Sequence, residues 1–154
     1  YTINLVNSNQ YLKELFQLFY FKEMFNRIYF VFVYSFYFEG DYERAIKECE
    51  IYNDLIQIQF ELHVNKQSYS NIMKIKGDAL YKLQQFNDAL QAYSNIVNQL
   101  EDKTNTMFNM ALCNLFMKKV SSAKEILRII RENINKAPAK KRVLDVIISK
   151  IGEL

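Results

Sequence analysis

The chain has 154 residues, half of them apolar and 15% aromatic without any Trp, which suffices for one ordinary domain or a short repeat array. One Pro and three Gly leave few helix breakers and exclude long irregular loops as the main content. Twenty basic and 17 acidic side chains give a net charge of +3, too mild and too dispersed for nucleic acid: the densest basic run, Lys140-Lys141-Arg142, has no stripe extending it and fits a solvated helix start beside Pro138.

In chain order, Asn7-Ser8-Asn9 offers helix caps, and Leu12, Leu15, Phe16 and Phe19 recur at three- and four-residue spacing. This predicts an amphipathic helix over residues 9–20, within an N-terminal segment 1–25 that packs on the rest. A second helix is expected over residues 26–38, ending at Glu39-Gly40-Asp41, where Gly40 tolerates the left-handed conformation. The run from Ile28 to Phe38 is strongly apolar, yet only 11 residues separate Arg27 from Glu39. A spanning helix takes about 20, so a buried helix and no membrane span are expected.

A third helix carries Ala45, Ile46, Cys49, Tyr52, Leu55 and Ile56. An interruption near residues 57–69 follows, with the break placed at 65–70. Helices then pair regularly, 70–83 with 87–99 and 105–118 with 121–133. Pro138 suits the first turn of a last helix over 139–151, so the C-terminal segment 138–154 reads as a capping or truncated helix.

The paired helices repeat. Ala89 in Phe86-Asn87-Asp88-Ala89-Leu90 and Ala123 in Val120-Ser121-Ser122-Ala123-Lys124 stand 34 residues apart, and Gly77/Ala111, Met73/Met107, Phe86/Val120, Tyr93/Leu127 and Ile96/Ile130 match at the same offset. Antiparallel helices approach closely only where side chains are small, so Gly77 and Ala111 are expected to face Ala89 and Ala123. Ala45 precedes Ala89 by 44 residues, which assigns the surplus to the interruption.

A 34-residue helical period resembles the tetratricopeptide repeat (TPR) family, with Gly40-Asp41-Tyr42-Glu43-Arg44-Ala45-Ile46 as the fullest match. The resemblance implies an all-α fold: an α-α superhelix, or solenoid, of about three helix pairs over residues 26–137. An N-terminal helix and a C-terminal capping helix would flank it. Departures from the family pattern are Val33 in the first small slot, Lys76 in a usually apolar slot, and a third turn without Gly. The order of elements, with the segment 103–113, also resembles the N-terminal domain of the repeat-built subunits of the anaphase-promoting complex. That family would imply a homodimer and a scaffold within a ubiquitin ligase.

In TPR proteins the first helix of each pair lines a concave face. The resemblance places Phe30, Tyr34 and Tyr37, then Lys74, Asp78 and Tyr81, then Phe108, Leu112 and Leu115 on that face, with Asn109 beside them. Two of these three sets are almost wholly apolar, and such a patch marks an interaction site unless a terminal helix folds over it. The expected function is a protein–protein interaction scaffold that binds a protein or peptide partner, or a second copy of itself as a homodimer. Alternatives are a structural subunit of a large assembly and a chaperone-binding TPR adaptor. For the adaptor, Lys74 and Asn109 match two carboxylate-clamp positions, while Asp78 repels a carboxylate and Phe30 and Tyr34 replace the remaining donors.

No enzyme is expected. His63 is the single histidine, which leaves a triad or zinc site without a second imidazole. Cys113 has no implied base to activate it. Neither the phosphate-binding loop spacing nor a dinucleotide fingerprint is present, so no catalytic residue, metal or cofactor is assigned. Cys49 and Cys113 sit at core-like positions, as free thiols do in a reducing compartment, which points to an intracellular, cytoplasmic or nuclear location.

Overall fold

The structure, a computed structural model, describes residues 19–59, 66–134 and 138–153. Among these the fold is all-α: α1 (Phe19–Glu39), α2 (Tyr42–Gln59), α3 (Lys66–Lys82), α4 (Phe86–Ile96) running into a 3-10 turn (Val97–Gln99), α5 (Thr104–Phe116), α6 (Val120–Asn133) and α7 (Pro138–Gly152). Each helix packs on the next, and α1 also lies against α3.

Three tight turns close the helix pairs in the same way. At the first, Gly40 has φ 85°, its N–H donates to Tyr37 O at 3.1 Å, and Asp41 N–H donates to Phe36 O at 2.9 Å. This pair of bonds satisfies carbonyls that a helix end leaves bare. Gln84 (φ 61°) and Lys118 (φ 60°) repeat it, through Gln84 N–H to Tyr81 O and Gln85 N–H to Leu80 O, then Lys118 N–H to Leu115 O and Lys119 N–H to Asn114 O. Five residues after each left-handed residue comes a buried alanine: Ala45, Ala89 and Ala123, all 0% exposed. The third turn therefore keeps the shape of the first without its glycine.

The core is divided into three clusters drawn from successive helices. Val33, Ala45, Cys49, Tyr52, Ile72 and Ala79 knit α1, α2 and α3; Leu80, Ala89, Tyr93 and Cys113 knit α3, α4 and α5; Ala111, Leu127, Ile130, Leu144 and Ile151 knit α5, α6 and α7. Gly77 is buried where a close approach was expected, but its nearest neighbour is a ring. A Cβ there would stand 2.6 Å from Tyr93 Cε1. The small residue makes room for an aromatic side chain, not for a second small one.

Several boundaries differ from expectation. No break falls near residue 25: α1 runs unbroken from Phe19, because nothing between there and Gly40 ends a helix. The helix expected over 9–20 lies mostly outside the described residues. Residues 57–59 and 66–69 are helical, so the interruption expected at 57–69 narrows to residues 60–65, also outside the description. Of the break expected at 65–70, the described residues 66–70 are helical, and Ser70 is buried and donates to Gln99 Oε1 at 2.9 Å. At Ser70 this tertiary hydrogen bond offsets a weak helix propensity.

Candidate protein-binding surface

Asp78, on α3, is the point where the first helices of the pairs converge. Its carboxylate accepts from Tyr93 Oη at 2.6 Å and from Lys74 Nζ at 2.7 Å, one turn back on the same helix. Asn109 Nδ2, on α5, lies 3.5 Å from the same carboxylate and 3.4 Å from Tyr93 Oη. The phenol of Tyr37, on the neighbouring α1, is pushed up first by burial and then by the Asp78 charge. Burial and the same carboxylate push the Tyr93 phenol up strongly, so it stays protonated and keeps donating. Tyr37, Lys74, Asp78 and Asn109 are thus brought together.

Phe30 and Tyr34 extend this face along α1. Their rings stack at 5.9 Å, Tyr34 meets Tyr37 at 6.1 Å, and Tyr37 meets Tyr42 at 5.5 Å. Phe30 is 36% and Tyr34 45% exposed, so the stack presents open aromatic surface.

The other expected residues part from this group. Tyr81 turns its edge to Phe86 (5.6 Å) and Phe116 (6.2 Å), forming a separate aromatic cluster. Phe108 and Leu115 pack against the cluster that holds Leu144 and Ile151 of α7, and Leu112 is half-buried. For Phe108 and Leu115 the apolar character serves the C-terminal core instead of an open groove.

Sequence reasoning missed the outer face of α1, where a buried helix was expected. Ile28, Val31 and Phe38 are 61%, 65% and 79% exposed. The 44-residue offset that aligns Ala45 with Ala89 also aligns Ile28 and Val31 with Ile72 and Ile75, which are buried against α2. Among the described residues no helix precedes α1 to play that part. The signal was present in the spacing of Ile28, Val31, Ser35 and Phe38, three and four apart and turned away from buried Val33.

Several other polar groups serve packing. Lys76, in its unusual slot, reaches Glu50 at 3.1 Å. Tyr29 Oη lies 3.1 Å from Glu48 O, and Tyr52 Oη donates to Asn26 Oδ1 at 2.8 Å. Burial pushes the Cys49 thiol up to about 12 and the Cys113 thiol up to about 11, which disfavours thiolate chemistry at neutral pH. His63 lies outside the described residues. Among those described, no group of His, Cys, Asp or Glu is placed to hold a metal ion, and no helix is long and apolar enough to cross a membrane. No family model, curated protein or solved structure matches the chain.

Proposed function

We propose that the chain is a TPR-type protein–protein interaction scaffold that receives a partner on the α1 side of the array. The observation that carries this reading is the open Phe30–Tyr34 stack continuing into Tyr37 and Asp78, across two successive first helices. The repeated turns and the 34-residue alignment of buried small residues support the TPR assignment. Aromatic anchors of this kind supply most of the energy at an interface.

The double substitution Phe30→Ala/Tyr34→Ala removes both rings without touching the buried side of α1. It is expected to weaken partner capture by about 2 kcal/mol or more while circular dichroism keeps the helix signal. Undiminished capture excludes this face. Phe108→Asp is a poorer probe, because it places a carboxylate against the C-terminal core.

A second reading, a structural subunit of a large assembly such as a ubiquitin ligase, is favoured by Ile28, Val31 and Phe38, an apolar face suited to permanent cover. Sedimentation of an Ile28→Lys/Val31→Lys variant separates the two: association that this change abolishes supports the subunit, and peptide binding with association unaltered by it supports recognition. The chaperone-adaptor reading is disfavoured by Lys74, whose ammonium is already committed to Asp78 at 2.7 Å.

A further inference from the structure

A groove of about 530 Å3 runs between α2, α3 and α4, and none of the candidate binding residues lines it. Ile46, Leu80, Leu83 and Ala92 give it an apolar part beside the polar Gln85, Gln91 and Asn95, and Glu43, Glu50 and Asp88 also line it. Lys76 answers Glu50. Glu43 and Asp88 are exposed, and among the described residues neither has an ion-pair partner. Both occupy first turns, where a carboxylate suits the helix dipole. The dipole does not account for the apolar part left open in the same groove.

A surface of opposite character lies on α7. Val143 and Val146 are 59% and 60% exposed. Helical spacing puts them on one stripe with Arg142 and Lys150, and Lys140 adds a third exposed cation. Arg142 has no ion-pair partner among the described residues, and Lys150 holds only an exposed contact with Glu153 at 3.4 Å. The one acid in the middle of the helix, Asp145, is taken by Arg131 of α6.

We infer that α7 of one copy docks in the acid-lined groove of a second copy, with the valines on its apolar part and Arg142 and Lys150 toward Glu43 and Asp88. Apolar part meets apolar stripe, and uncompensated negative charge meets uncompensated positive charge. Groove and helix are different surfaces, so each docked copy still offers one of each. Because the contact is heterologous, it propagates into rings or open chains, and it closes as a dimer only where two copies exchange helices reciprocally. Its charged part is exposed and weakens with salt. The inference does not rest on the α1 face proposed above.

Sedimentation velocity of the full chain across a concentration series, at low and high salt, tests it. The wild type is expected to form concentration-dependent dimers or larger species that dissociate as salt rises. Glu43→Lys/Asp88→Lys and Arg142→Glu/Lys150→Glu should each weaken association by about tenfold or more. Mixing the two variants restores opposite charges across the contact and should restore association, which also shows that neither variant fails merely by misfolding. Three outcomes overturn the inference: a wild type that stays monomeric throughout, association that stops at a dimer indifferent to both variants, or a mixture that does not recover.

Discussion

Gln84 and Lys118 hold a backbone conformation that side chains with a Cβ adopt at a cost of about 1–2 kcal/mol. Gln84→Gly and Lys118→Gly relieve that strain and lose part of the gain to the freer unfolded chain. Each is expected to stabilise by about 0.5–1 kcal/mol, read as a raised urea midpoint. Gly40→Ala, at the equivalent turn, should move the midpoint the other way by about 1 kcal/mol. Gly77 behaves differently, because its constraint is the Tyr93 ring and not its backbone angle. Gly77→Ala forces that ring away from Asp78 and is expected to cost about 1–3 kcal/mol. Tyr93→Phe should then cost about as much through the donor lost by the carboxylate, and the pair of changes should be less than additive because both act on one contact.

At the level of elements, α7 depends on few contacts. Leu144 and Ile151 are its buried anchors on α5 and α6, while the exposed Arg131–Asp145 pair adds little beside them. Leu144→Ala is expected to cost about 2–5 kcal/mol, felt mainly where α7 docks. Hydrogen exchange should then quicken in α7 and the facing side of α6 while α3 and α4 keep their protection. Uniform quickening along the chain would mean that the clusters are not separable. Helix existence was legible from periodicity, but the start of α1 was not. No residue marks a boundary at residue 25, and a helix stops only where a residue or a contact stops it. The exposed side of α1 escaped for a related reason: an apolar run looks the same whether or not a neighbour covers it.

Across the described residues, stability is distributed over three clusters, each shared by three consecutive helices. Buried phenols and thiols recur in them, which gives the fold a common response to alkali. Tyr29 is pushed up from 10.0 to about 12, by burial first and then by Glu48, and Cys49 from 9.0 to about 12 by burial. A raised value in the folded state means that the folded state prefers the neutral form. That contribution is complete below the unfolded value and disappears as pH climbs through the folded one. Resistance to urea is therefore expected to be level up to about pH 9 and to fall between about pH 9 and 12. Cys49→Ala should flatten the first part of that fall. A flat profile to pH 12 in the unsubstituted chain would contradict the burial of these groups.

The 34-residue recurrence of Gly77/Ala111 and Ala89/Ala123 was sufficient to place α3 to α6 and their pairing, because small residues at fixed intervals are a local, one-dimensional demand of helices that must touch. Two expected groups diverged for want of the third dimension. Asp78, Lys74, Asn109 and Tyr37 come together only because α1, α3 and α5 are laid side by side, and Tyr93 joins them from a helix on which nothing in the chain marks it as a partner. Phe108 and Leu115 repeat the spacing of Phe30 and Tyr37 yet face the core, because α7 lies against one end of the array and no described helix lies against the other. Periodicity states which side of a helix is apolar; only the neighbours determine whether that side is core or surface.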